Sequence, residues 1–219
     1  AEPVEVVGYC MGGLLAVSIA DRLAACGVEA RAVVISSYRI PFTVSDPRLL
    51  DFSFARLINA SPRDMGIDLD EDRLSEAIGA ARDAGVADIS AGTLDAHASP
   101  QLRGQLASMP LDSGPRFETF LASPAGADWQ REALESLKEV YVQSLAAVAA
   151  FDEPPAMVPV TFLRQSDPLS FLPEQGSAMT DFWEGHCLGG LEVIDIDGDH
   201  FTCIDADHAA VVAGILKEV

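Results

Sequence analysis

The sequence predicts an α/β protein built on a parallel sheet and interrupted by a long helical insertion. Three observations predict it. The β-branched run Val4 to Val7 ends at Gly8 and passes directly into a helical pattern from Met11 to about Ala25. A second buried-strand run follows at Ala32 to Ile35, which makes the helix between them a right-handed crossover and the strands parallel. After Pro154 and Pro155 the rhythm returns, with strands at Val158 to Leu163 and Leu191 to Ile196 and a closing helix from Asp205 to Glu218.

Within the first helix, Leu15, Ile19 and Leu23 recur at i, i+4 and i+8, while Ala16, Ala20 and Ala24 let it lie close to a sheet. Gly27 stops it. From Pro47 to Ala150 the sequence offers helix candidates at Arg48 to Ala60, Asp70 to Ala84 and Asp128 to Ala150, and no convincing strand. The expected organisation is therefore a first core segment over residues 1–46, a helical insertion over 47–150 and a second core segment over 151–219. A doubly wound sheet of four strands is small, and the chain opens in its first strand. Further N-terminal strands of the natural domain are expected upstream of Ala1.

With 219 residues, 49% hydrophobic and 22% charged, the chain can bury a sizeable core. A formal charge of -20 excludes a broad basic face for nucleic acid or anionic membrane. No apolar run approaches the roughly 18 residues of a membrane span, and the N-terminus lacks a signal-peptide pattern, so a soluble, cytoplasmic protein is expected. Cys10, Cys26, Cys187 and Cys203 form neither a CxxC pair nor a zinc-type cluster, so no metal is expected.

Cys10 stands apart because of its neighbours. Gly8-Tyr9-Cys10-Met11-Gly12-Gly13 fits the G-x-S-x-G nucleophile elbow with Cys in place of Ser, and the strand before it and helix after it meet the structural condition of that motif. The elbow strains its nucleophile, so small residues are needed at Gly8 and Gly12. The helix N-terminus favours thiolate and oxyanion charge, and the Met11 N–H is placed to serve as an oxyanion donor.

A base and an orienting acid should follow in chain order. His200, in Gly198-Asp199-His200-Phe201, lies just beyond a strand and so at the carboxyl end of the sheet, where the elbow also opens. His97 falls in the insertion and His208 in the final helix, and His186 ranks only slightly above them as an alternative base. Asp167, in Arg164-Gln165-Ser166-Asp167-Pro168, is the candidate acid that accepts the other imidazole proton.

With these residues in place, the chain resembles the terminal (type I) thioesterase domains of nonribosomal peptide and polyketide synthetases. The resemblance rests on Val6-Val7-Gly8-Tyr9-Cys10-Met11-Gly12-Gly13, on Val33-Val34-Ile35-Ser36-Ser37-Tyr38, on the helical stretch and on Gly198-Asp199-His200-Phe201. It implies an α/β-hydrolase fold with a helical lid over residues 47–150. It also implies an acyl or peptidyl substrate on the phosphopantetheine arm of a carrier protein, no bound cofactor, and a monomeric domain of a larger synthetase. The chain departs from the family in carrying Cys at the usual Ser position and Ser36 where many members place their acid. The resemblance further implies early strands upstream of Ala1 that supply a second oxyanion donor. A Cys thioester keeps its acyl group activated, which favours cyclising release as a lactam or lactone over hydrolysis. The elbow is also similar to that of dienelactone hydrolases, small Cys-His-Asp enzymes that lack so long an insertion. A catalytically silent domain that only binds a carrier protein or acyl chain is a third reading.

Overall fold

The computed structural model describes residues 3–169, 171–172 and 175–218. In chain order they form β1 (Val4–Tyr9), α1 (Met11–Ala25), β2 (Ala30–Ile35), β3 (Thr43–Val44), α2 (Pro47–Leu57), α3 (Glu71–Asp83), β4 (Asp88–Ile89) and α4 (Ala91–His97). There follow α5 (Pro100–Ala107), α6 (Gly114–Leu121), α7 (Arg131–Ala149), β5 (Val160–Gln165), α8 (Gln175–His186), β6 (Leu191–Ile196) and α9 (Ala209–Glu218). They divide into two compact units: Ala1–Ile40 with Ala150–Leu169 and Glu174–Val219, and Pro41–Ala149 with Ser170–Pro173.

The first unit is the α/β core. Its sheet runs β1-β2-β5-β6, every pairing parallel, with Tyr9 opposite Ile35, Ile35 opposite Leu163 and Leu163 opposite Ile194. All four strands therefore end on the same side. One layer of core joins Val33, Ile35, Leu163, Ile196, Cys203 and Val212. The face of α1 turned inward consists of Gly13, Leu14, Ala16, Val17 and Ala20. The recurring Leu15 and Ile19 lie outside it, 51% and 49% exposed. The helix carries two apolar stripes, and the one that faces the sheet holds Gly13, Ala16 and Ala20, whose small size permits close approach. A Cβ on Gly13 would stand 2.6 Å from Ser37 Cβ and 2.8 Å from Val34 Cγ1.

The second unit is mainly helical. It begins at Pro41, six residues before the expected start of the insertion, and includes the parallel pair β3-β4, where no strand was expected. Its three longest helices lie where the periodicity places them, with ends moved by one to three residues. The shorter α4, α5 and α6 escaped the periodicity because seven or eight residues hold barely two turns. Their start signals were legible: Ser90 and Ser99 cap α4 and α5, and Pro100 follows the second cap.

Charge as well as apolar packing holds this unit together. Asp46 accepts from the Arg48 main chain at 2.8 Å and from its guanidinium, which also reaches Asp95 at 2.9 Å and the Leu106 carbonyl at 3.2 Å. Asp51, fully buried, pairs with Arg116 at 2.5 Å and with Lys138, tying α2 to α6 and α7. Burial pulls the Lys138 ammonium down from its ordinary range, and Asp51 opposes that pull. Asp51→Asn leaves two cations facing a neutral amide. It is expected to lower stability by about 3–5 kcal/mol in urea unfolding, the cost of removing one member of a buried charge cluster.

Candidate active site

The site is built from the ends of adjacent strands. Cys10 ends β1 and caps α1 with φ 54° and ψ -130°, a backbone conformation unusual for a residue with a side chain. Its N–H donates to the Ile35 carbonyl at 3.2 Å, and its carbonyl accepts from Gly13 at 3.0 Å. Gly8 makes this turn possible. A Cβ there would meet the Gly12 carbonyl oxygen at 2.0 Å and its carbon at 2.3 Å. At Gly12 a Cβ would meet nothing within 4 Å, so the steric demand lies on Gly8 and not, as expected, on both glycines.

The Met11 N–H bonds the Cys10 sulfur and draws its pKa down, but burial outweighs it and leaves the thiol above its ordinary value. Cys26 is exposed at the end of α1, and Cys203 is buried beneath the site with its thiol pushed up to about 11, mainly by burial.

His200 sits in the turn after β6. Gly198 enters the turn with φ 91°, and Asp199 accepts from Phe201 N and Thr202 N, both at 2.9 Å. Asp199 thus shapes the turn that presents the histidine. Tyr9 fixes the ring from the other side: the two rings stack with centroids 5.2 Å apart, and the Tyr9 hydroxyl donates to the His200 carbonyl. The residue before Cys10 therefore holds the base candidate beside the elbow. Burial lowers the His200 pKa to about 4, against the opposing effects of Asp199 and the Ser36 carbonyl. At neutral pH the imidazole is uncharged, the form a general base needs.

The partner of His200 Nδ1 is Ser36 Oγ at 2.7 Å. Asp167 is exposed; its side chain meets Ser166 Oγ at 3.5 Å and its main-chain N–H donates to the Gly198 carbonyl at 3.1 Å. Among the described residues no hydrogen bond joins the Asp167 carboxylate, expected to orient the ring, to His200. Ser36 ends β2, the neighbour of β1, and fills the place beside the ring first. Asp167 braces the histidine turn through its backbone instead. Nor does any hydrogen bond link the His200 ring to the Cys10 thiol. Such contacts tighten when substrate arrives.

The other histidines lie elsewhere. His97 ends α4 in the second unit, His186 stacks on Phe182 at the end of α8, and His208 pairs with Asp205 at 2.9 Å. Sequence reasoning missed Tyr9, Ser36 and Gln165 as supports of the site, although each lay inside a segment already singled out. Among the described residues no group of three or more His, Cys, Asp or Glu is arranged to hold a metal, and no helix is long and apolar enough to cross a membrane.

A family model for the thioesterase domain matches residues 1–218. Pyochelin synthetase PchF of Pseudomonas aeruginosa strain UCBPP-PA14 is 29% identical over 202 residues, 92% of this chain but 11% of the synthetase. The chain thus spans about a tenth of the length of that curated relative. The Vlm2 thioesterase domain bound with a dodecadepsipeptide superposes with a TM-score of 0.57 at 17% identity, covering 100% of this chain and 69% of that one. AB3403, a four-domain nonribosomal peptide synthetase, matches with a TM-score of 0.53 at 19% identity, covering 97% of this chain and 14% of that one. Both structural likenesses confirm the α/β-hydrolase fold.

Proposed function

The chain belongs to the thioesterase domain family, and from that premise we propose that it releases an acyl or peptidyl chain from the phosphopantetheine arm of a carrier protein through a thioester at Cys10. The observation that carries this reading is the strained Cys10 backbone at the strand-to-helix turn, with the Met11 N–H against its sulfur. Likeness to part of a synthetase supports a carrier-bound substrate and a place as a monomeric domain of a larger cytoplasmic synthetase. The charge of -20 favours neither nucleic acid nor an anionic membrane as partner.

In the first half-reaction, Cys10 Sγ attacks the thioester carbonyl carbon while His200 Nε2 takes the thiol proton. The oxyanion that forms is stabilised by the Met11 N–H. Collapse breaks the bond to pantetheine sulfur, which leaves with the proton from His200. In the second, an amine or hydroxyl of the bound chain attacks the Cys10 thioester and gives its proton to His200. The acyl carbon–sulfur bond breaks, and the proton returns to Cys10.

Internal attack is favoured over water because a thioester keeps the acyl group activated for a poor or hindered nucleophile. The second unit serves as the helical lid that excludes solvent during the life of the intermediate. Its insertion between β2 and β5 separates this reading from a dienelactone-hydrolase-like enzyme.

Cys10→Ser tests the choice of release. With a pantetheine thioester bearing an internal amine, the parent is expected to yield mainly ring product. The serine variant should still be acylated but form at least tenfold less ring, stalling as the oxoester or leaking to linear acid. Linear acid alone from both proteins establishes a hydrolytic thioesterase instead.

A further inference from the structure

His200 Nδ1 meets a hydroxyl, and that hydroxyl begins a buried chain of neutral groups ending on the backbone. Ser36 Oγ donates to Gln165 Oε1, Gln165 Nε2 donates to Gln175 Oε1 at 3.2 Å, and the Leu169 N–H donates to the same Gln175 oxygen at 2.8 Å. Ser36, Gln165 and Gln175 are 1%, 4% and 3% exposed, so water does not compete for these bonds. Ser36 is held at φ 46°, turned out of the ordinary strand conformation where β2 ends.

The direction of every bond follows from one fixed donor. A main-chain N–H can only donate, so the Gln175 atom facing Leu169 is its carbonyl oxygen. That oxygen can only accept, so Gln165 must turn its amide nitrogen toward it and its own oxygen toward Ser36. Ser36 has a single proton, and the Gln165 oxygen takes it. What remains to His200 is a hydroxyl lone pair, which demands a proton on Nδ1. The main-chain carbonyl of Ser36 also faces the ring and favours its protonated form.

We propose that Gln165 and Gln175 are positioning residues that act through Ser36 to hold His200 as its Nδ1–H tautomer, doing with neutral amides the orienting part of a carboxylate's work in a Ser-His-Asp triad. The tautomer leaves Nε2 free as the proton acceptor that the Cys10 mechanism requires, and the inference rests on that mechanism for its catalytic meaning. A neutral relay orients the ring without stabilising imidazolium. The acid limb of activity should therefore lie well below the ordinary histidine range, near the His200 value of about 4. Ser36→Asp, which brings a negative charge to Nδ1, should move that limb upward.

The test is ¹⁵N NMR of histidine-labelled protein at pH 7, with His200 assigned through His200→Gln. The parent should show Nδ1 protonated and Nε2 bare. Gln165→Leu should populate the Nε2–H form and lower kcat for acyl transfer from a pantetheine thioester by about tenfold or more at unchanged KM, since a wrong tautomer alone can cost about 10⁴ in kcat. Gln175→Glu keeps an acceptor for both donors and should retain the parent tautomer. An Nε2–H form in the parent, or a tautomer moved by Asp167→Asn and not by Gln165→Leu, would overturn the relay. If the parent shows Nδ1–H yet Cys10 is never acylated, the relay stands and the proposed reaction fails.

Discussion

Gly8→Ala is expected to cost more than about 4 kcal/mol, enough to unfold much of a domain whose total stability is of the order of 5–15 kcal/mol. The added Cβ would meet the Gly12 carbonyl at 2.0 Å and Gly13 N at 2.7 Å, all of it backbone in the first turn of α1. Backbone in a helix turn cannot rotate aside as a long side chain does. Relief requires α1 to move away from β1, and Gly13 already holds that helix tight on Ser37 and Val34. Gly12→Ala is the matched control, because its Cβ enters open space. It should change stability by no more than about 1 kcal/mol, with either sign. Urea unfolding and soluble yield of the two variants check the expectation. Equal stability of Gly8→Ala and the parent would mean that the turn is not the tight elbow described.

Cys10→Ala is expected to reduce turnover of a carrier-bound or pantetheine thioester by about 10⁴-fold or more, the scale of losing a nucleophile from a covalent mechanism. The folded structure should survive, because alanine is smaller and retains the backbone that caps α1. Circular dichroism and unfolding of the variant then separate lost chemistry from lost fold. Cys26, Cys187 and Cys203 are not expected to substitute: Cys26 is exposed at the end of α1, Cys187 follows α8, and Cys203 is buried, with burial pushing the thiols of both Cys187 and Cys203 up to about 11. Full turnover by Cys10→Ala would require water to attack the carrier thioester directly and would remove the covalent intermediate from the account.

The sheet and the elbow were legible because strong local signals specify them. A β-branched run, a glycine that tolerates no Cβ and a helix start coincide at Gly8 to Met11, and each agrees with the others. The alanines that let α1 lie close to the sheet were legible, and Ala16 and Ala20 are buried there, but the outward facing of Leu15 and Ile19 was not, because periodicity reports an apolar stripe without saying which way it turns.

His200 was singled out from chain order and from the Gly198-Asp199 turn before it, whereas Ser36, the hydroxyl that meets its ring, was not. Asp167 is the first carboxylate after β5 and carries the expected chemistry in its side chain. Ser36, Gln165 and Gln175 have no such signature, and only the parallel pairing of β2 with β5 and the start of α8 bring them into line. The buried ion cluster of Asp51, Arg116 and Lys138 was hidden for the same reason: its members are 65 and 87 residues apart from Asp51 in sequence.

The most direct test of a covalent thioester at Cys10 is peptide mass mapping after brief exposure to a pantetheine thioester whose acyl chain lacks an internal nucleophile. The account predicts the acyl mass on the peptide containing Cys10, absent from Cys10→Ala and much reduced in His200→Ala. Product release by the parent with no acyl mass on that peptide at any time of quenching, or the acyl mass on another residue, would contradict it.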